Sequence, residues 1–337
     1  MPSLLTEITE IATGLGTLGY SSVEAALATR PSEMLNIPPG VWSRLDKAIT
    51  DPQNALQAAA AWSNGLAFLH ARNGLRGRLP IQIEWRGPEQ TPGFDLLPVD
   101  LRIDHVFLIS CKYLSHILFN ASPSHLFDRV LAHRHSKDRM DWYEEVAPVA
   151  YQAFYTEVRR YLLSEIALPE QHGGLNKTQR RHIKRRLKGN DLPSSLVIPY
   201  RDFCVAESSA SAARWRANLG AAHAQEEMLW RLLRIGSAPY YVLGASPKAP
   251  IRLRVYTPWD WRREFTLVSF DVASAPEAGQ PVVRWKATVN CRSTMQDLVV
   301  EGHVQIRWSH GRFYCHPEAK VYLDTPHAQV PGYTPLV

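Results

Sequence analysis

The spacing of apolar and polar positions changes several times along this chain, and each change marks an element. Residues 1–50 read as short helices: Ser21-Ser-Val-Glu24 has the spacing of a capping box, and Pro39 opens another helical entry. Residues 53–73 form a helix by alanine content and apolar spacing, with Gly74 as its C-cap. The pattern then becomes alternating. In Pro80-Ile-Gln-Ile-Glu-Trp-Arg86, Ile81, Ile83 and Trp85 lie on one face and Gln82, Glu84 and Arg86 on the other. After a Pro/Gly turn around Pro88 to Gly93, Leu97-Pro-Val-Asp-Leu-Arg-Ile-Asp104 alternates too. Val106-Phe-Leu-Ile-Ser-Cys-Lys-Tyr113 returns as the partner strand of a tight hairpin.

Residues 114–165 predict helix again, ending in the long segment Asp141 to Leu163. A basic run follows, then a helix near 207–234 and the short apolar strand Pro239-Tyr-Tyr-Val-Leu-Gly244. From about residue 250 the texture is mostly antiparallel β: alternating strands begin at Ile251, Phe265, Val282 and His303. The chain therefore divides into a helical segment 1–52, an α/β core 53–245 with a helical insertion, and a β-rich region 246–337. Gly14-Leu-Gly-Thr-Leu-Gly19 carries the letters of a dinucleotide fingerprint. The residues before it read as helix, not as the strand that motif requires, and it is set aside.

Composition narrows the class. A chain of 337 residues suggests about two domains, and 45% hydrophobic with 21% charged residues is ordinary for a folded protein. Cys111, Cys204, Cys291 and Cys315 form no CxxC pair, so neither a disulfide framework nor a structural zinc site is expected, and a reducing cytosol fits. No apolar run approaches the roughly 20 residues needed to cross a bilayer. The N-terminus lacks the basic and apolar regions of a signal peptide. A soluble cytoplasmic protein without a membrane partner is the expectation.

The net charge of +6 hints weakly at a polyanionic partner; its distribution says more. Between Asn176 and Lys188, Lys177, Arg180, Arg181, Lys184, Arg185, Arg186 and Lys188 occur with no acid among them. Such a run repels itself in water and is favoured beside phosphates, where counterions are released. These residues are the candidate nucleic-acid contacts. A solvated helix or loop would carry the same letters.

Strand alternation also groups candidate chemistry. Asp100, Arg102 and Asp104 share a face of one strand, Ser110 and Lys112 a face of the next, and Glu84 lies on the polar face of the first. Lys112 ends a nearly continuous apolar run, where a cation is normally paired. Asp104-His105 reads as the hairpin turn, which favours Asp100 over Asp104 as the chemical carboxylate. His116, His125, His133 and His135 cluster in sequence without completing a zinc set, and Arg134, Lys137 and Arg139 would equally suit phosphates. Trp259-Asp-Trp-Arg-Arg263, Arg284-Trp-Lys286 and Arg307-Trp-Ser-His-Gly-Arg312 would serve either as base-stacking platforms or as core tryptophans beside surface arginines.

The order helix, strand, strand with Asp, turn, strand ending in x-Lys, then helix resembles the PD-(D/E)xK nuclease superfamily. Its core is the restriction-endonuclease-like αβββαβ fold. The resemblance is carried by Pro98-Val-Asp100 and Ser110-Cys-Lys112, with Glu84 upstream, and spans roughly residues 53–113. It implies an α/β fold of that type, with helical N-terminal and inserted segments and a β-rich C-terminal region. It further implies Mg2+ (or Mn2+) held by Asp100 and a second carboxylate, and Lys112 acting on the attacking water and the phosphoryl oxygens. The family's second acid is Ser110 here, a poor ligand beside a carboxylate, and Glu84 is the candidate replacement. The expected function is hydrolysis of a nucleic-acid phosphodiester, as a DNA endonuclease of bacterial restriction or anti-phage defence, acting as a homodimer or with a partner protein. The alternative is a catalytically silent nuclease-like subunit that binds nucleic acid or scaffolds a larger complex.

Overall fold

The computed structural model describes residues 3–87, 99–112, 117–128, 141–189, 192–245, 250–275 and 279–337. Helices α1 (Leu4–Gly16), α2 (Val23–Thr29), α3 (Pro39–Ala48) and α4 (Pro52–His70) come first, with strand β1 (Met34–Leu35) between α2 and α3. Next are β2 (Ile83–Trp85), β3 (Leu101–Ile103), β4 (Phe107–Lys112) and β5 (Ile117–Ala121). A helical stretch follows: α5 (Pro123–Phe127), α6 (Trp142–Val146), α7 (Pro148–Tyr161), α8 (Lys177–Arg186), α9 (Ser194–Asn218) and α10 (Ala222–Leu232). The remaining elements are β6 (Tyr240–Gly244), β7 (Ile251–Val255), α11 (Pro258–Glu264), β8 (Phe265–Ser274), β9 (Val282–Cys291), β10 (Gln296–Arg307), β11 (Glu318–Leu323) and β12 (Tyr333–Pro335). The protein is α/β, with one mixed sheet and a second sheet.

The chain forms two compact units interleaved in sequence. The first comprises Met1–His116, Leu233–Phe265 and Pro326–Val337, the second Ile117–Leu232 and Thr266–Thr325. Composition alone divided the chain linearly at residues 52 and 245. Packing divides it otherwise because α1 lies against α4, β2 and β4, and the C-terminal strand β12 pairs with β7.

The first unit is built on a seven-stranded sheet in the order β1-β2-β3-β4-β6-β7-β12. Strands β2, β3 and β4 form an antiparallel meander, and β6 runs parallel to β4. The hairpin joining β3 to β4 turns at Asp104 and His105, both with positive φ (49° and 58°), as a primed turn requires. Asp104 Oδ1 accepts the backbone N–H groups of Ile81 and Gln82, so this carboxylate serves the backbone. Ile83, Trp85, Leu101, Ile103, Ile109 and Cys111 face a common core with α1 and α4. The two helices cross where both lack side chains: a Cβ on Gly65 would lie 2.0 Å from the Thr13 carbonyl oxygen, and one on Gly16 2.1 Å from that of Trp62. Close helix packing accounts for Gly16 of the glycine-rich stretch.

In the second unit the strands follow the order β5-β11-β10-β9-β8. Helices α5 and α9 pack on β11 and β9. Tyr143, Tyr151, Phe154, Phe203, Trp308 and Phe313 interlock as its aromatic core. Ile117–Ala121, expected as helix, is a strand because it pairs antiparallel with β11. The helix expected near 207–234 is two: α9 begins at Ser194, carries Pro199 in its interior and stops at Asn218, and α10 follows.

Candidate active site

Asp100 sits immediately before β3, at the end of the sheet where β2 and β3 part. Its N–H donates to the Ile109 carbonyl (2.8 Å) and its own carbonyl accepts from Arg86 N–H (3.0 Å), so its backbone is pinned on both sides. Its Oδ2 accepts the Cys111 N–H at 2.6 Å and the Ser110 hydroxyl at 3.4 Å. Neighbouring strand residues thus hold one oxygen, while Oδ1 accepts no hydrogen bond from any described residue. Burial pushes the Asp100 carboxyl above its ordinary range, opposed by the Lys112 ammonium, by these hydrogen bonds and by Arg86.

The carboxylate electrostatically joined to Asp100 is Glu10, from α1. Every residue of α1 from Glu7 onward is buried, so Glu10 is carried into the core face of the sheet. Trp85 Nε1, on β2, donates to Glu10 Oε2 at 2.7 Å. The other oxygen accepts no hydrogen bond from a described residue. Its neighbour Glu7 is satisfied by Arg44 at 2.9 Å. Burial pushes the Glu10 carboxyl up to about 8; the Asp100 carboxylate pushes the same way, and Trp85 and Lys112 oppose. Lys112, the last residue of β4, is the cation acting on both acids. Its backbone carbonyl accepts Ala245 N–H (2.9 Å) just beyond β6.

Glu84 is placed otherwise than expected. It stands opposite Arg102 in the β2–β3 register, and Arg102 grips it through Nε and, at 2.8 Å, through Nη2. Those hydrogen bonds hold the Glu84 carboxyl below its usual range, and His105 adds to the effect. A carboxylate so paired is poorly disposed to take a second cation. Ser110 is fully buried beneath Asp100 and supports it. The structure therefore brings together Asp100, Ser110, Lys112 and Glu10, and leaves Glu84 in an ion pair. The segment Leu-Leu-Thr-Glu-Ile-Thr-Glu-Ile carries two glutamates, Glu7 and Glu10, and its letters do not single out Glu10.

The donor set fits a hard divalent cation. Two carboxyls, each with an oxygen unused by the described residues, lie in a desolvated setting that penalises their charge. An oxygen-seeking dication would reverse that penalty. Among the described residues, no three His, Cys, Asp or Glu side chains gather as a metal cluster, so these residues would supply two carboxylates.

The basic run folds as α8, opened by a capping box between Asn176 and Gln179. Its cations divide by face. Arg180 donates to the carbonyls of Leu175 (3.1 Å) and Phe313 (2.7 Å), Arg186 pairs with Glu165 (2.6 Å), and Lys184 lies 4.2 Å from the Tyr314 ring centroid. Lys177, Arg181, Arg185 and Lys188 are exposed and make no hydrogen bond or ion pair with a described residue. Lys177, Arg181 and Arg185, spaced four apart, share one stripe of α8, and Lys188 follows two residues beyond its end. Of the C-terminal tryptophans, Trp261 and Trp285 belong to the core and Trp259 is exposed. Pro98, His116, His133 and His135, with Arg134, Lys137 and Arg139, lie outside the described residues. No helix among the described residues is long and apolar enough to cross a membrane.

Compared with protein-family models, curated proteins and solved structures, the chain matches none of them.

Proposed function

We propose that this chain is a Mg2+-dependent nuclease of the restriction-endonuclease-like type, with Asp100 and Glu10 as metal ligands and Lys112 as the catalytic cation. The observation that carries the reading is the joining of Asp100, Glu10 and Lys112 at one end of an antiparallel meander whose last strand has a parallel neighbour. That order of strands is what the αβββαβ resemblance implies, with Glu10 of α1 in place of Glu84 as the second acid. A bound Mg2+ or Mn2+ would polarise the phosphodiester and lower the pKa of an attached water. The chain's own residues do the rest. Cys111 N–H and Ser110 hold the Asp100 carboxylate, Trp85 fixes the Glu10 rotamer, and Lys112 offsets charge developing on the phosphoryl oxygens. A DNA substrate, a role in restriction or anti-phage defence, a cytoplasmic setting and a homodimer or partner protein rest on the resemblance.

A second reading, a nuclease-like subunit that binds without cutting, is favoured by the serine at position 110 and by the two-carboxylate donor set. Plasmid and single-stranded substrates incubated with Mg2+, Mn2+ or EDTA separate the two. Cleavage by wild type with a metal ion, lost in Asp100→Asn, Glu10→Gln and Lys112→Ala, supports the enzyme. Binding with no cleavage under any of these conditions supports the silent subunit.

A further inference from the structure

The second unit holds a cleft that the carboxylate site does not explain. It encloses about 1120 Å3 between the C-terminal end of α8, the first turns of α9, the end of β10 with the turn after it, and β11. Lys184, Lys188, Arg201, Arg307, Arg312 and Lys320 line it, and among the described residues no Asp or Glu does. Two of these cations serve the fold. Arg312 Nη1 donates to the carbonyls of Leu187 (2.8 Å) and Gly189 (3.0 Å), closing the end of α8, and Lys184 is spent on Tyr314.

The other four are differently placed. Lys188, Arg307 and Lys320 make no ion pair with a described residue, and Arg201 has only the exposed Asp202, at 3.6 Å. Burial pushes the Lys320 amine down and Arg307 pushes it further, against Glu318. Like charges gathered in a concavity repel one another and weaken the fold that holds them, and a bound anion relieves that repulsion.

We infer that this cleft binds the phosphate backbone of a single-stranded nucleic acid through Lys188, Arg201, Arg307 and Lys320. The inference rests on the reading of the protein as a nucleic-acid enzyme, though not on its carboxylate site. Two features select the ligand. The volume is near the upper limit of small-ligand pockets, roughly 300–1,000 Å3, and far below what a duplex occupies. Lys188 also follows directly on α8, which carries the exposed Lys177, Arg181 and Arg185, so an extended backbone leaving the cleft has further cations to meet, which a mononucleotide cannot reach.

The test is binding of fluorescein-labelled oligothymidylate, about twenty nucleotides long, to the full chain in EDTA across a salt series. The variant combining Lys188→Ala, Arg201→Ala, Arg307→Ala and Lys320→Ala should bind about tenfold or more weakly, with the log-log salt slope reduced by about 2–3. Lys188→Glu alone, an exposed change that spares the fold, should weaken binding in the same direction. Unchanged affinity and slope in both variants would overturn the inference. So would a duplex of equal length binding as tightly as the single strand, or thymidine triphosphate competing as well as the oligomer. Because EDTA excludes cleavage, a wild type that never cuts would sink the nuclease reading and leave this result standing.

Discussion

Glu10 is the residue on which the most physical consequence rests. Its carboxyl is pushed up from 4.5 to about 8, so the folded chain binds a proton there that the unfolded chain releases. The stability linked to that proton is fully present below about pH 4.5 and is lost as pH rises through about 8. Glu10→Gln keeps the shape and removes the titration. Without metal, it should raise the melting temperature at pH 8 by an amount worth at most about 4 kcal/mol and flatten the fall between pH 5 and pH 8. A melt series over pH in EDTA checks this, while the same variant should be inactive in Mg2+. Glu207 gives a parallel case in the second unit. It is fully buried on α9, Oε1 accepts Ser211 Oγ at 3.2 Å, and Oε2 has no partner among the described residues. Burial pushes its carboxyl well up, so the same sign applies. Glu207→Gln should stabilise the chain at neutral pH and leave nucleic-acid binding unchanged.

At the scale of elements, two helices separate what the letters say from what the packing uses. Helix α8 reads as one block of positive charge, yet Arg180 and Arg186 are tied to the fold and Arg181 and Arg185 are not. Arg180→Ala should cost about 1–3 kcal/mol in a denaturant melt, through the hydrogen bonds to Leu175 and Phe313. Arg181→Ala with Arg185→Ala should change stability by no more than about 0.5 kcal/mol and weaken oligonucleotide binding instead. The crossing of α1 and α4 is governed by Gly65. Its Cβ would meet the Thr13 carbonyl at 2.0 Å, so Gly65→Ala must force the helices apart, at a cost of about 1–3 kcal/mol. That shift would also withdraw Glu10 from Asp100, and activity should fall further than stability does.

For the whole molecule, the metal-site reading makes a prediction that needs no turnover. An ion bound by the native state alone raises the melting temperature, by the equivalent of about 2.7 kcal/mol at a hundredfold excess over Kd. Protons compete for Glu10 and Asp100, whose carboxyls are both raised, so the Mg2+-induced shift should grow as pH rises from 6 to 8.5. It should vanish in Asp100→Asn and persist in Glu84→Gln, because Glu84 is committed to Arg102. A Mg2+ shift that disappears in Glu84→Gln and survives in Glu10→Gln would return the second acid to β2.

Local physics reached far along this chain. Alternation placed β2, β3 and β4, the turn chemistry of Asp104-His105 named the hairpin, and the x-Lys ending of an apolar strand singled out Lys112. Each is a property of neighbours within a few residues, which pattern and propensity record. What the letters did not determine depends on residues far apart in the chain. Glu84 and Arg102 are eighteen positions apart, and only strand register makes them a pair. Glu10 and Trp85 are seventy-five apart, and only the burial of α1 against the sheet turns a helical glutamate into a neighbour of Asp100. Ile117–Ala121 became a strand because β11 offered it a hydrogen-bonding edge. Charge, register and burial are pairwise and long-ranged, so tertiary structure decides which carboxylate is free for chemistry and which cations are free for a ligand.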